Sequence, residues 1–221
     1  MGKKVILTGS TGMVGKGVLL ECIESPDIDK ILVINRSALG ISSDKIEELL
    51  LENFTKIVHF KDVLQNFDAC FYCMGVTSIG LTEEAYSRIT FDPLKSFVDT
   101  LYELNPNMTF IYVSGSGTDS TENGKSMWAR VKGKTENYMI NKGFKNSYAF
   151  RPGIILPEKG IKSKTGWYNT IYAIFKPFYP LLSKSKNVTS TTKIGKAMIR
   201  TLMKEYDKNH LENSDINILA E

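Results

Sequence analysis

Val5-Ile6-Leu7-Thr8-Gly9-Ser10-Thr11-Gly12-Met13-Val14-Gly15 decides how this chain folds. Val5, Ile6 and Leu7 form a short apolar run of strand type, and Met13 to Glu24 has the length and pattern of a helix. The turn between them needs glycine three times. Gly9 permits the tight turn, Gly12 lets the backbone approach a phosphate, and Gly15 lets the helix pack against the strand. The first N–H groups of such a helix, at the positive end of its dipole, suit a pyrophosphate. Strand, glycine turn and helix in this order predict a dinucleotide-binding loop, with Ser10, Thr11, Met13 and Val14 completing the cradle.

Twenty residues beyond Gly15 the second strand ends in Ile34-Asn35-Arg36-Ser37. A site for NAD(H) usually has a carboxylate there, bonded to the ribose 2′-hydroxyl. This chain has Arg36, whose guanidinium suits a 2′-phosphate, with Ser37 as a further donor. The expected cofactor is therefore NADP(H) in preference to NAD(H).

Strand-type runs alternate with helix-type segments along the chain, which predicts an α/β fold, a doubly wound parallel sheet of Rossmann type. The strands expected are Lys4 to Thr8, Lys30 to Asn35, Lys56 to Phe60, Ala69 to Met74, Thr109 to Ser114, Ser147 to Arg151 and Ile216 to Leu219. Helices are expected over Met13 to Glu24, Ser43 to Asn53, Thr82 to Leu104 with a kink at Asp92-Pro93, Lys125 to Asn141, and Thr191 to Met203 with Thr191 as cap. No second core or internal repeat is visible. Residues 1–221 read as one domain, with 158–221 forming a small cap on the substrate side.

The chain is 42% hydrophobic and 24% charged, ordinary values for a globular protein, with a net charge of +4. Nothing points to nucleic acid as a partner. Glu158 to Lys186 holds six lysines against one acid, a local +5 that either gathers anionic ligands or forms a solvated face. The run Trp167 to Leu182 is rich in aromatics and reads as a lid lining a small-molecule pocket, as a homodimer or protein-partner face, or as an interfacial membrane contact. There is no apolar run of about 18 residues and no signal-peptide pattern, so a cytoplasmic protein is expected. Cys22, Cys70 and Cys73 are an odd set. Cys70 and Cys73 have redox-motif spacing, but on a strand that spacing puts the sulfurs on opposite faces. His59 and His210 have no evident catalytic partner, and no metal site is expected.

Gly9-x-x-Gly12-x-x-Gly15 resembles the glycine pattern of extended and atypical short-chain dehydrogenase/reductases. Lys61-Asp62-Val63 resembles the family's adenine-bonding pair, and Cys73-Met74-Gly75-Val76 its turn along the cofactor after the fourth strand. Tyr112-Val-Ser114-Gly-Ser116-Gly117 resembles the serine-rich end of the fifth strand. Trp128-Ala-Arg-Val-Lys132-Gly-Lys-Thr-Glu136 resembles the Tyr-x-x-x-Lys-x-x-x-Glu helix, and Phe150-Arg151-Pro152-Gly153 the turn over the nicotinamide. The order and compactness are similar to those of the Tat-interacting oxidoreductase-like subgroup, over residues 4 to about 157.

The resemblance implies that Ser114 or Ser116 orients a substrate carbonyl and that Lys132 bonds the nicotinamide ribose. It also implies a tyrosine acid/base where this chain has Trp128, whose indole N–H donates but does not titrate in water. Tyr138-x-x-x-Lys142 repeats the spacing ten residues on, ~15 Å along a helix axis, out of register with Lys132 and Glu136. Two functions follow as expectations: an NADP(H)-dependent carbonyl reductase or isomerase with a degraded catalytic motif, or a non-catalytic NADP(H)-sensing regulatory protein. A nucleotide-sugar epimerase is a weaker third.

Overall fold

The computed structural model describes residues 2–161, 185 and 187–221. Strand β1 (Lys3–Thr8) takes the middle of a parallel sheet because both of its faces are apolar: Ile6 is buried on one side, Val5 and Leu7 on the other. Around it stand β2 (Ile28–Asn35), β3 (Ile46–Leu50), β4 (Ala69–Tyr72), β5 (Thr109–Val113), β6 (Asn146–Arg151) and β9 (His210–Glu212). The spatial order is β3-β2-β1-β4-β5-β6-β9, with every pairing parallel. The order reverses between β1 and β4, and the carboxyl ends of those two strands frame the crevice where open sheets of this kind hold ligands. A separate parallel pair, β7 (Ile154–Leu156) and β8 (Val188–Ser190), follows β6.

Helices cover both faces. On the Val5/Leu7 side lie α1 (Met13–Glu24), α4 (Thr191–Met203) and α5 (Asn213–Leu219), contributing Val18, Leu19, Ile194, Met198 and Ile216 to one core. The other core takes Leu94, Phe97 and Leu101 from α2 (Glu83–Leu104), Met139 from α3 (Met127–Ile140), and Phe54 and Ile57 from a 3₁₀ helix (Phe54–Val63). Thr82 caps α2 as expected, its hydroxyl accepting from Ala85 N at 3.2 Å. Cys70 joins the second core and Cys73 packs against the first, so the two sulfurs do face opposite sides of the sheet. Burial pushes both thiols up and away from the reactive thiolate.

Between residues 43 and 63 the elements differ from those expected. The helix expected over Ser43 to Asn53 is instead β3, an edge strand whose Glu47 pairs with Lys30 and whose Glu48 accepts from Leu39 N. Ile46, Leu49 and Leu50 have helical spacing, but pairing with β2 overrides it. The strand expected over Lys56 to Phe60 is the 3₁₀ helix, started by Asn53, whose side chain accepts from Thr55 N. Only Phe54 and Ile57 are buried in it, a three-residue period.

Helix α2 runs through Pro93 as one element. Ser190, not Thr191, caps α4, its Oγ accepting from Lys193 N at 3.1 Å. The strand expected over Ile216 to Leu219 is α5, opened by a reciprocal Glu212/Asp215 capping box, and the last strand lies just before it. In the C-terminal part, α4 packs on α1 where a Cβ at Gly17 would come within 2.5 Å of Thr191 Cβ, and β9 extends the sheet. The described residues from 188 onward thus build the body of the fold as well as one rim of the substrate side. The aromatic run 167–182 and most of the basic segment 158–186 lie outside the described residues.

Candidate functional site

The glycine loop is shaped by close backbone contacts. Gly9 has φ +70°, and a Cβ there would lie 2.7 Å from the carbonyl carbon of Cys73 and 2.8 Å from Met74 N. The loop therefore sits directly against the end of β4. A Cβ at Gly15 would come 2.3 Å from Gly9 O, so α1 meets the turn without room for a methyl group. Gly12 N donates to Gly9 O at 2.9 Å, and Gly12 stands as the N-cap of α1 with no side-chain cap. The first-turn amides at Met13 and Val14 are thus left to a ligand or to water.

Ser10 points inward. It is fully buried, and its Oγ accepts from Asn35 Nδ2 at 2.7 Å, tying the glycine loop to the end of β2. Arg36 and Ser37 follow immediately and are exposed, and among the described residues Arg36 has no hydrogen bond or ion pair. Met74 and Gly75 continue from β4 beside Gly9, and a Cβ on Gly75 would meet open space.

Asp62 and Val63 are not at this edge. Lys61 pairs at 2.5 Å with Glu103 in the last turn of α2, and Leu64 O accepts from Asn105 just after it. Those contacts put residues 61–64 at the amino end of the sheet, opposite the glycine loop. The residues that actually follow the third strand are Leu51, whose N donates to Asn35 O at 2.8 Å, and the exposed Glu52 and Asn53. The misplacement of Asp62 follows from taking the 3₁₀ helix for that strand.

At the carboxyl end of β5, Ser114 and Ser116 part company. Ser114 is buried and its hydroxyl donates to Glu136, while Ser116 is exposed at the mouth of a cleft of about 440 Å³ with Gly153, Asn187, Asn213 and Ser214. Ser116 N donates to Pro152 O at 3.0 Å, and Gly153 N donates to Asn213 Oδ1 at 3.1 Å. Lys132, on α3, donates from Nζ to Ser114 O at 2.5 Å. Trp128, one turn before it, is half-buried, its ring 3.5 Å from the position of a Cβ on Gly117.

A buried carboxylate organises this end of the sheet. Glu136 is fully buried, bonded by Arg151 Nε at 3.0 Å and Arg151 Nη2 at 2.5 Å, with His210 Nε2 at 3.4 Å. His210 thus lies beside Glu136, a proximity its position in the sequence did not reveal, with no hydrogen bond at Nε2 among the described residues; desolvation and then Arg151 lower its pKa. Gly133 was also missed: a Cβ there would lie 1.8 Å from Asp119 O, so α3 rests on the 114–124 loop through bare backbone. The signal was available, since a glycine inside a helix costs about 1 kcal/mol unless something needs the space. Tyr138 and Lys142 turn elsewhere, both bonded to Asp99 on α2. Among the described residues no group of His, Cys, Asp and Glu could hold a metal ion.

Burial pulls the pKa of Lys132 down to about 8, against the opposing pull of Glu136. A lysine held at about 8, against 10.5 when unfolded, costs roughly 3 kcal/mol of stability at pH 7. The sign is the reverse of a salt-bridged lysine. The penalty is complete below pH 8 and vanishes as pH rises through 10.5, because the folded state releases its proton first. Allowing about 1 kcal/mol for the lost bond to Ser114 O, Lys132→Met is expected to stabilise the protein by about 2 kcal/mol at pH 7 and to lose that advantage near pH 10 in urea titrations.

A Rossmann sheet with this glycine turn and an open α1 N-terminus is the fold shared by short-chain dehydrogenase/reductases and related epimerases, and the chain has that fold. It is similar in sequence to Protein HTATIP2 of Rattus norvegicus, 24% identical over 71% of this chain and 64% of the relative. Protein FMP52, mitochondrial, of Meyerozyma guilliermondii is 25% identical over 71% of this chain and 66% of the relative. The match thus spans just under two thirds of those relatives' length. No family model matches the sequence.

Among solved structures, a short chain dehydrogenase/reductase from Saccharomyces cerevisiae aligns with TM-score 0.68 at 15% identity, over 99% of this chain and 98% of that one. ADP-L-glycero-D-manno-heptose-6-epimerase of Helicobacter pylori aligns with TM-score 0.70 at 14% identity, over 96% and 75%. A short chain dehydrogenase from Burkholderia cenocepacia, in complex with NADP, aligns with TM-score 0.67 at 9% identity, over 96% and 87%. No described helix is long and apolar enough to cross a membrane.

Proposed function

We propose that this chain binds NADP(H), in preference to NAD(H), and works as an oxidoreductase or isomerase on a small carbonyl compound. The observation that carries this reading is the uncapped N-terminus of α1 behind Gly9, Gly12 and Gly15, at the point where the strand order reverses. The residues fit the cofactor. Amides of Met13 and Val14 would face the pyrophosphate, Arg36 and Ser37 the 2′-phosphate, and Cys73 to Gly75 would lie along the molecule. Pro152, Gly153 and Lys132 would border the nicotinamide end. Bound there, the nicotinamide supplies or accepts a hydride.

Ser116 offers its hydroxyl to a substrate oxygen at the cleft mouth. The described rim is mostly neutral amide and hydroxyl with Glu212 as its carboxylate, which suits an uncharged polar substrate. Of the six lysines that argue for an anionic one, Lys159 pairs with Glu21 and Glu24, and the other five lie outside the described residues. Free Cys22, Cys70 and Cys73 fit a reducing compartment such as the cytoplasm.

Arg36→Ala tests the cofactor choice. NADPH affinity in calorimetry is expected to fall about 10- to 100-fold, the worth of a charge-assisted bidentate bond, with NADH affinity unchanged. Equal affinities for the two nucleotides in the native protein would remove the NADP(H) preference. Trp128 favours a second reading, in which the chain senses NADP(H) occupancy without turnover.

A further inference from the structure

The geometry points to Lys132 Nζ as the proton donor of the site, giving its proton to a substrate carbonyl oxygen in the step for which Trp128 has no transferable proton. This rests on the nicotinamide-binding reading above. A reduced nicotinamide dinucleotide, when bound, would supply the hydride to the carbonyl carbon, and the π pair would move onto oxygen. An N–H bond of Lys132 then breaks as the O–H bond forms. The products are an alcohol, the oxidised dinucleotide and a neutral lysine, which regains its proton from water.

Position and elimination support the assignment. Among the described residues, Lys132 is the titratable group beside the Ser114-Gly115-Ser116 turn that is not already committed to another side chain. Glu136 is engaged by Arg151 and Ser114, and Asp119 by Thr121 and Gly124. Glu212 caps α5 and pairs with Arg151. Tyr72 and Tyr112 are buried in the core on the α2 side, and desolvation raises both.

Lys132 Nζ has one described hydrogen bond, to Ser114 O, and an ammonium carries three protons. Gly115 leaves the approach open: a Cβ there would stand 4.0 Å from Nζ and 4.0 Å from Pro152 O, with no closer contact to the described residues beyond its chain neighbours. Among the described residues, the charged and titratable groups facing Nζ are Glu136 on its own helix and Tyr112 on β5, whose ring centroid is 5.9 Å away. Desolvation by these packed elements brings the ammonium near neutrality, the range in which a general acid works well at physiological pH.

The test uses two readouts that need no substrate. In protein labelled with ¹³C at lysine Cε, the signal lost in Lys132→Met is expected to titrate near pH 8, below the other lysines. Formaldehyde, the smallest carbonyl, with cyanoborohydride at pH 7 is expected to methylate Lys132 at least tenfold faster than the exposed lysines, read by peptide mass spectrometry. Gly115→Ala should slow that methylation while leaving the titration in place.

A midpoint above 10, or methylation no faster than at exposed lysines, overturns the proposal. So does Gly115→Ala without effect on methylation. NADPH titration of the same sample keeps the two levels apart: binding with an ordinary Lys132 sinks this assignment alone, and absence of binding sinks the nucleotide reading and this assignment with it.

Discussion

Gly133→Ala is expected to destabilise the protein by about 3 kcal/mol, although alanine is the better helix former by about 1 kcal/mol at an open site. The added methyl would lie 1.8 Å from Asp119 O and 2.6 Å from Asp119 C, both backbone atoms that cannot swing aside. Asp119 N also donates to Ala129 O at 3.1 Å, so the 114–124 loop is clamped to α3 on either side of the contact. Relief has to come from moving α3, which carries Trp128 and Lys132, away from Ser116. Urea denaturation read by circular dichroism gives the cost. A variant as stable as the native protein would mean that α3 does not sit this close to the loop.

Glu136→Ala is expected to cost 3–5 kcal/mol, about the penalty for stranding one member of a buried ion pair. Glu136 is fully buried and the Arg151 side chain is 12% exposed, so water cannot replace the lost carboxylate. Ser114 Oγ loses its shorter bond at the same time and keeps only Phe150 O at 3.3 Å, which loosens the strand end whose carbonyl holds Lys132. Removing both charges with a Glu136→Met/Arg151→Met pair is expected to recover most of the loss, since packed apolar side chains replace buried ion pairs at little cost. Stability measured across the double-mutant cycle decides it: a pair variant no better than Glu136→Ala would show that the loss comes from packing.

Much of this was legible in the sequence, where local pattern and tertiary demand agree. The strand Val5 to Leu7, the turn Gly9 to Gly15 and the helix from Met13 appear where their residues predict, because Gly9 and Gly15 answer backbone contacts that no side chain would allow. The same holds for α2 with its Thr82 cap and for the central strands, whose apolar runs are buried on two faces. Residues 43 to 63 were illegible for a physical reason. An edge strand partly exposed on both faces carries Glu47 and Glu48, one on each, and its remaining Ile46, Leu49 and Leu50 imitate a helix. Conversely, Ile57-Val58-His59-Phe60 has strand-like composition, but only Ile57 of the four is fully buried. That one exchange carried Asp62 and Val63 to the wrong end of the sheet.

At the β5 edge, sequence spacing placed Lys132 and Glu136 on one face of α3, which is how they lie. It did not show that Ser114 turns inward to Glu136 while Ser116 faces the cleft, since the two serines differ only in a strand-end geometry set by Arg151 and Pro152 on β6 and just beyond it. His210 comes to Glu136 only through the pairing of β9 with β6, about 60 residues apart in sequence.

The central claim is that the loop from Gly9 to Gly15 holds a nicotinamide dinucleotide, and calorimetric titration of the native protein with NADPH and with NADH tests it most directly. The account predicts saturable binding of NADPH at one site per chain, tighter than that of NADH. Absence of binding by either nucleotide would contradict it and leave a Rossmann sheet whose glycine turn serves packing alone.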